Sequence, residues 1–266
     1  MKHINALSIA GTDPSGGAGI QADLKTFSAL RAYGASVITA LVAQNTCGVQ
    51  SIYNIDPNFI GAQLDSVFSD MRIDTTKIGM LVNSAIIKIV SDKLLCYKPR
   101  YVVLDPVMLA KSGDALLAPE AVNALKKYLL PLVSLVTPNL PEAAVLLNCL
   151  LAKNEEQMYE QGLALLHLGC KNVLMKGGHL NGNESPDWLF TAEGQYRFTH
   201  TRIDSCNTHG TGCTLSAALA ALRPRHHNWQ ESVQTAKDYL QQALVQASSL
   251  NVGKGNGPVH HFHQWW

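Results

Sequence analysis

Three separate points of the sequence carry polar residues that are suited to handling phosphate. Asp105 precedes a proline, Glu142 lies in NLPE at 139–142, and Lys176 precedes two glycines. Phosphoryl transfer needs a cation on the phosphates, oxygen ligands for Mg²⁺ and backbone N–H groups where negative charge develops. Lys176 supplies the cation, and Asp105 and Glu142 supply oxygen ligands for Mg²⁺. A helix-capping role for Asn139 and a turn role for Asp105 are the structural alternatives.

The backbone N–H groups are supplied by NTHGTGCT at 207–214, which precedes the almost wholly apolar run LSAALAAL. A helix that begins near Gly210 directs unpaired N–H groups and the positive end of its dipole outward, which makes an anion site. Cys213 lies in the first turn, so we expect its thiol pKa to be lowered from the reference value of about 8.5. The alternative is a small residue packed inside a helix start.

A second glycine-rich stretch, GTDPSGGAGIQAD at 11–23, follows the first predicted strand. Residues 17–22 fit G-x-G-x-x-A, but the dinucleotide fold also requires an acidic residue about 20 positions on, and none lies there. A P-loop is excluded because Gly16 is followed by glycine and alanine rather than by lysine and a hydroxyl residue. The glycines therefore indicate close backbone approach to a ligand of another kind.

The composition excludes several classes of partner. The 266 residues contain 21 Lys and Arg against 20 Asp and Glu, and this balance of +1 gives no general attraction to nucleic acid or to a membrane surface. The longest apolar stretches, such as 37–43, are far shorter than the roughly 18 residues of a membrane span. The apolar N-terminus contains Asn5 and runs into the glycine loop, so it is interpreted as a strand rather than a signal peptide. Six cysteines without a C-x-x-C pair indicate reduced thiols in the cytoplasm.

Short β-branched segments alternate with helical patterns, which is typical of an α/β fold. A mostly parallel central sheet with helices on both faces is expected, because the strands are apolar throughout. The strand candidates are 4–11, 36–44, 76–81, 101–108, 134–139 and 172–178. NTCG at 45–48 predicts a hairpin turn, 187–203 an antiparallel pair, and 210–222 and about 229–249 two helices. Because no repeat or linker interrupts the pattern, residues 1–266 are expected to form one domain, with functional residues beyond the carboxyl ends of the strands.

The motifs together resemble a known family. NLPE at 139–142, KGG at 176–178 and GTGC at 210–213 resemble the signature of the ribokinase-like superfamily, whose sugar kinases mostly end the last motif in aspartate while its vitamin-kinase branch can carry cysteine. AGTDPSGGAGIQADLKTF, ITALVAQNT, DPVMLAKSGD, TPNLPEA, MKGGH and HGTGCT extend the similarity over nearly the whole chain. These segments resemble the bacterial hydroxymethylpyrimidine/phosphomethylpyrimidine kinases of thiamine synthesis.

The resemblance implies a ribokinase-like fold of three αβα layers and a cytoplasmic, commonly dimeric enzyme that uses ATP with Mg²⁺. It also implies two successive phosphorylations at one site. The hydroxymethyl group of 4-amino-5-hydroxymethyl-2-methylpyrimidine is phosphorylated first, and that monophosphate then becomes the diphosphate.

Residue roles follow from the match of the motifs. The implied catalytic residues are Cys213 as the base, Lys176 as the bridge to the ATP phosphates, and Gly210, Thr211 and Gly212 as the anion hole. Glu142 with Asp105 would hold Mg²⁺, partly through water. The implied nucleotide-binding residues are Asn139, Lys176, Thr208 and Thr211. The implied pyrimidine-binding residues are Gly11, Asp23, Val42, Gln44, Met80 and Val107.

Chemistry supports part of this pyrimidine site independently. A ring nitrogen beside an exocyclic amine presents an acceptor next to a donor, and the carboxamide of Gln44 matches that pair with two parallel hydrogen bonds. Asp23 could accept a hydrogen bond from the substrate hydroxyl, and Met80 offers a polarizable surface for the ring. Core packing is the alternative for Met80 and Val107.

Other functions share some of these residues. A pyridoxal or pyridoxine kinase would use the same fold, anion hole and glycine loops, although Gln44 favours an aminopyrimidine. Thiol catalysis would make Cys213 a nucleophile with His209 as its base, but it would leave Glu142 and Lys176 without a role. A nucleotide-responsive binding protein is the non-enzymatic alternative.

Two further segments carry hypotheses. LAKSGD at 109–114 is interpreted as a loop that folds over the site, with Lys111 on the monophosphate substrate. His260, His261 and His263 allow either a metal site or a packed aromatic C-terminus. The second interpretation is favoured because no carboxylate or cysteine accompanies the histidines.

Overall fold

The structure, a computed structural model, describes residues 3–110 and 116–266. Within them the chain forms one eight-stranded sheet and one two-stranded sheet. The strands are β1 (Ile4–Ala10), β2 (Ala32–Ile38), β3 (Ala40–Asn45), β4 (Gly48–Asn54), β5 (Thr75–Ile78), β6 (Val102–Leu104), β7 (Leu135–Val136), β8 (Val173–Lys176), β9 (Glu184–Thr191) and β10 (Gly194–Thr201).

The large sheet has the order β10-β9-β8-β7-β6-β5-β1-β2. Neighbouring strands from β2 to β8 are parallel, whereas β8 with β9 and β9 with β10 are antiparallel. The mostly parallel sheet and the antiparallel extension at 187–203 are therefore confirmed. Because parallel strands end at the same edge, the residues that follow β1, β5, β6, β7 and β8 are brought together.

Helices cover both faces of this sheet. They are α1 (Gly19–Ala29), α2 (Pro57–Asp70), α3 (Ser84–Tyr97), α4 (Ala121–Ala124), α5 (Leu140–Leu147), α6 (Glu155–His167), α7 (Thr211–Leu222) and α8 (Trp229–Val245). The chain after α4 continues through a π turn and a 3-10 turn to Leu132, and α8 continues through a 3-10 turn to Ser249. The helices predicted at 210–222 and about 229–249 are confirmed, except that residues 246–249 form a 3-10 turn rather than α-helix.

Two apolar cores separate the three layers. In β6, Val102 and Leu104 face the core beneath α2 to α6, while Val103 faces the core beneath α1, α7 and α8. This alternation explains why the parallel strands are apolar at every position rather than at every second one. The expected three-layer αβα arrangement is thus present.

The strand predicted at 36–44 is wrong in one respect, because the chain changes sheets at Thr39. The Thr39 N–H donates to the carbonyl of Ala10, and its hydroxyl donates to the carbonyl of Met80. These bonds end the pairing of β2 with β1 and send β3 into a hairpin with β4, with the turn predicted at 45–48. A continuous β-branched run gave no sign of this break.

Among the helices within 3–110 and 116–266, none combines the length and the hydropathy that a bilayer crossing requires.

Candidate active site

The predicted phosphate-handling residues meet at the carboxyl edge of the large sheet. Asp105 follows β6, Asn139 follows β7, and Lys176 is the last residue of β8. The Lys176 Nζ lies 2.8 Å from Oδ1 of Asp105 and 3.9 Å from Oε2 of Glu142. A largely buried cation is thereby held between two carboxylates, which is the arrangement expected from the three motifs.

Glu142 is fixed by the start of α5. Its Oε2 accepts the Asn139 N–H at 2.8 Å, and the Asn139 Oδ1 accepts the Glu142 N–H at 2.9 Å. The capping role of Asn139 is therefore real, and it also orients the carboxylate. Burial raises the pKa of Glu142 to about 7, with Lys176 opposing the rise and Asp105 adding to it. Burial works against the charge of Lys176, but Asp105 and Glu142 outweigh it and raise the pKa of Lys176 to about 12.

The glycine motif at the start of α7 lies against these groups. Gly210 caps the helix with φ +77°, a conformation that favours glycine, and a Cβ there would collide with the carbonyl of Gly17. A Cβ on Gly212 would lie 3.2 Å from Oδ2 of Asp105 and 3.6 Å from Nζ of Lys176. The first N–H groups of a helix have no partner within it, so the motif offers donors beside the Lys176 ammonium.

Thr208 and Thr211, expected on the nucleotide, flank Gly210 and are half-buried. The Thr211 N–H donates to the Thr208 carbonyl at 3.4 Å. The structure therefore places both at the start of α7.

The expected pKa of Cys213 is wrong in direction. Burial raises the pKa of its thiol to about 11, and the nearby carboxylates of Asp23 and Asp105 add to this rise. Lys77 and the Gly19 N–H favour the thiolate but do not outweigh these effects. The helix start was correctly identified, but the sequence does not show that the sulfur is enclosed near two carboxylates. At neutral pH the thiol therefore carries its proton.

Three of the residues expected on the pyrimidine lie in one place. Val42 and Met80 belong to a small apolar cluster, and a Cβ on Gly11 would lie 3.0 Å from Sδ of Met80. The absence of a side chain at Gly11 thus leaves room beside the thioether. Val107 lies two residues beyond Asp105, and its N–H donates to the Asp105 carbonyl at 2.8 Å.

Gln44 lies in β3 next to an irregularity of the hairpin between Ala43 and Gln44. Its side chain is half-buried, and the flap is joined to the glycine loop where the Val42 N–H donates to the hydroxyl of Thr12 at 3.0 Å. The two-stranded flap therefore carries Gln44 toward the glycine loop, as a site between them requires.

Asp23 is fully buried in α1, and the hydroxyl of Ser8 donates to its Oδ2 at 2.6 Å. The same oxygen lies 2.8 Å from the Nζ of Lys77. Burial raises the pKa of Asp23, and the Lys77 ammonium opposes that rise. Within the described residues, the other carboxylate oxygen of Asp23 has no hydrogen-bond partner.

Comparison with known proteins agrees with this geometry. The model of the family described as "Phosphomethylpyrimidine kinase" matches residues 13–260. The chain belongs to this family. The hydroxymethylpyrimidine/phosphomethylpyrimidine kinase of Escherichia coli (strain K12) is 69% identical over 266 residues, with 100% of both chains covered. The corresponding protein of Rhizobium meliloti (strain 1021) is 51% identical, with 98% of each chain covered.

Solved structures of kinases have the same ribokinase-like fold. The phosphomethylpyrimidine kinase of Clostridium difficile 630 is 43% identical with a TM-score of 0.80, covering 90% of this chain and 99% of its own. The pyridoxal kinase of Bacillus subtilis, solved as an ADP complex, is 34% identical with a TM-score of 0.91, covering 99% of both chains. The expected fold and family are therefore confirmed.

In this member of the family, sequence reasoning missed Lys77, Asp13 and the position of His209. Lys77 is a charged residue within the apolar run TTKIGML, which is the one signal that could have indicated it. The Nε2 of His209 lies 2.7 Å from Oδ2 of Asp13, so His209 is engaged by a carboxylate rather than by the Cys213 thiol. The alternative of thiol catalysis, which requires His209 to act as the base for Cys213, is therefore not supported by this geometry.

Two hypotheses have different outcomes. Residues 111–115, including Lys111, lie outside the described residues, so the loop hypothesis stays a prediction. His260 and His261 are buried, the Nε2 of His261 lies 3.0 Å from Oγ1 of Thr214, and burial lowers the pKa of His261 to about 3. These contacts agree with the packed C-terminus.

Proposed function

We propose that the chain transfers the γ-phosphoryl group of ATP to 4-amino-5-hydroxymethyl-2-methylpyrimidine and then to the resulting monophosphate, giving the diphosphate used in thiamine biosynthesis. The observation that carries this proposal is the position of Lys176 between Asp105 and Glu142, beside the glycine start of α7. The 69% identity to the hydroxymethylpyrimidine/phosphomethylpyrimidine kinase of Escherichia coli supports this choice of substrate.

The phosphoryl donor would lie along the carboxyl edge of the sheet. Lys176 bridges its phosphates, and the N–H groups at Gly210, Thr211 and Gly212 receive the charge that develops on the transferred group. Asn139 and Thr208 complete the nucleotide side. Burial strengthens these interactions, because little water competes for the phosphate oxygens.

Asp105 and Glu142 fit a Mg²⁺ ion. Both are buried carboxylates, and Mg²⁺ is usually held by one or two carboxylates together with substrate phosphates and water. The described residues contain no group of three or more His, Cys, Asp or Glu that could hold a metal by itself, so the phosphates would have to complete the site. When bound, the ion would neutralise charge on the transferred phosphoryl group.

The acceptor would lie between the glycine loop and the flap. Gln44 pairs with the ring nitrogen and the exocyclic amine, and Gly11, Val42, Met80 and Val107 enclose the ring. Asp23 accepts a hydrogen bond from the hydroxyl group. Cys213 takes the hydroxyl proton as a thiolate that the Gly19 N–H and Lys77 stabilise. Its raised pKa makes the thiolate scarce but strongly basic.

Pyridoxal phosphorylation is the second candidate function. The fold matches the pyridoxal kinase of Bacillus subtilis with a TM-score of 0.91. The carboxamide of Gln44 favours the aminopyrimidine, because pyridoxal has no exocyclic amine beside its ring nitrogen.

Product analysis with ATP and Mg²⁺ tests the proposal, with the hydroxymethylpyrimidine and pyridoxal supplied separately. Sequential mono- and diphosphate from the pyrimidine is the expected result. Transfer to pyridoxal alone would contradict the substrate assignment, and transfer to neither would contradict the kinase assignment. Omission of Mg²⁺ is expected to abolish both steps.

We also propose a single-domain, homodimeric enzyme of the cytoplasm. The eight-stranded sheet takes in strands from β1 to β10, and the cysteines at 47, 96, 149, 170, 206 and 213 are all free. Leu41 and Tyr53 are paired across the flap and are 46% and 69% exposed, and Tyr33 on the edge strand β2 is 66% exposed. Such an apolar surface suits a second copy of the chain. Light scattering would measure the mass of the protein in solution and distinguish a dimer from a monomer.

A further inference from the structure

Asp13 collects an unusual number of hydrogen-bond donors. Its side chain is almost fully buried, its Oδ1 accepts from the N–H and hydroxyl of Ser15, and its Oδ2 accepts from the N–H groups of Gly17 and Ala18 at 3.1 and 2.7 Å. Burial alone would raise the pKa of Asp13, but hydrogen bonds from His209 and Ser15 hold it well below its usual value. The group is therefore an anion that organises the glycine loop.

The same carboxylate reaches the anion-binding helix. The Nε2 of His209 lies 2.7 Å from Oδ2 of Asp13, and His209 directly precedes Gly210. The imidazole packs on Gly17, since a Cβ there would lie 2.5 Å from its Cδ2. The Gly17 carbonyl in turn lies where a Cβ of Gly210 would be. The position of His209 therefore sets how closely the glycine loop approaches the start of α7.

The flap that carries Gln44 is joined to the same loop. The Val42 N–H donates to the hydroxyl of Thr12 at 3.0 Å, and the Thr12 N–H donates to the carbonyl of Ala40 at 3.0 Å. Because Asp13 directly follows Thr12, its carboxylate lies between the flap and the start of α7.

We propose that Asp13 and His209 are positioning residues that couple recognition of the pyrimidine by Gln44 to the placement of the anion-binding start of α7. Neither residue touches the reacting atoms in this assignment, which rests on the proposed kinase function. Asp13 holds the glycine loop to which the flap of Gln44 is bonded. His209 fastens that loop to Gly210.

The two residues predict different kinetic defects. His209→Leu removes the bond between the loop and the start of α7 but leaves the flap bonded to the glycine loop. The value of kcat should therefore fall about tenfold or more in both phosphorylations, while KM for the pyrimidine changes less than about threefold. His209→Gln keeps a nitrogen donor at similar reach and should restore kcat to within about threefold of wild type. Asp13→Asn removes the charge that gathers His209 and the Gly17 and Ala18 N–H groups, and so loosens the loop to which the flap is bonded. This variant should both lower kcat and raise KM for the pyrimidine.

The matched control is His200→Leu. The Nε2 of His200 lies 3.0 Å from Oδ1 of the half-exposed Asp238, so this variant removes another contact between a histidine and a carboxylate, away from the site. Its kinetics should equal those of wild type. Thermal unfolding of each variant separates loss of fold from loss of rate.

Three results would overturn the proposal. They are wild-type kcat in His209→Leu, no rescue by His209→Gln, and a change in unfolding temperature alone in Asp13→Asn. Failure of the proposed function would be visible separately, because wild type would then form no product from the pyrimidine. If wild type phosphorylated pyridoxal instead, the His209 variants and their control would test the fastening with that substrate.

Discussion

The ammonium of Lys77 lies 2.8 Å from Oδ2 of Asp23, and neither side chain has any exposed surface. Burial opposes the charge of Lys77, but the carboxylates of Asp23 and Asp105 outweigh it and raise the pKa of Lys77. The two charges cancel, so the ion pair adds no net charge beneath the site. It also ties α1 to β5.

Removal of one member of this pair should destabilise the protein. Lys77→Met or Asp23→Asn leaves the other group buried without its partner, at a cost of about 3–5 kcal/mol in the free energy of unfolding. The double variant should recover part of that loss, because no uncompensated charge remains. Urea denaturation measures all three. Lys88→Met, from the half-exposed pair with Asp92, is the control and should change stability by less than about 1 kcal/mol. If the losses in the free energy of unfolding of the two single variants simply added in the double variant, the pairing would be contradicted.

Cys213→Ala should impair the two phosphorylations unequally. The first acceptor is a hydroxyl that must lose a proton, and loss of a general base typically costs about 10²–10⁴ in rate. The second acceptor is a phosphate monoester, whose second pKa of about 6 leaves it mostly deprotonated at pH 7. The second step should therefore fall less than about tenfold. Single-turnover rates with each acceptor measure this. Cys96→Ala, at an exposed position of α3, is the control, and equal losses in both steps would contradict a proton-acceptor role.

The sequence was sufficient to predict that Asp105, Glu142 and Lys176 lie close together. Asp105, Asn139 and Lys176 each follow or end an apolar strand, and parallel strands end at one edge, so spacing along the chain determines proximity in space. The helix start at Gly210 was equally predictable from its two glycines before an apolar run. These features depend on local pattern and on the topology of an α/β sheet.

The acceptor side depends on contacts that pattern does not encode. The pairing of Asp13 with His209 spans 196 positions, and that of Lys77 with Asp23 spans 54. The pKa of Cys213 depends on enclosure by several segments rather than on its place in a helix. Thr39 leaves the sheet because of bonds to Ala10 and Met80, which a β-branched run does not reveal.

Glu142→Gln should alter the pH dependence of stability. The ordinary pKa of 4.5 rises to about 7 in the folded protein, mainly through burial, so the folded state binds this proton more tightly. The contribution of Glu142 to stability is fully present below about pH 4.5 and is lost as the pH rises through about 7, a change on the order of 3 kcal/mol. Urea denaturation between pH 5 and 8 without Mg²⁺ should show a flatter profile for the variant.

The control for this experiment is Glu193→Gln, which changes an exposed carboxyl in the turn between β9 and β10. It should keep the wild-type slope. If Glu142→Gln also kept that slope, the proton taken up on folding would belong to another group.

Gln44→Leu should separate the two candidate substrates. The leucine keeps much of the volume of the side chain but removes both hydrogen bonds to the aminopyrimidine, so kcat/KM for the hydroxymethylpyrimidine should fall about 10²-fold or more. Pyridoxal has no exocyclic amine for Gln44 to pair with, so any activity on it should change less than about tenfold. Gln50→Leu is the matched control, because Gln50 lies in the same flap but is exposed and bonds only the Gly48 carbonyl among the described residues. Equal losses for both substrates would show that Gln44 supports the flap rather than reads the ring.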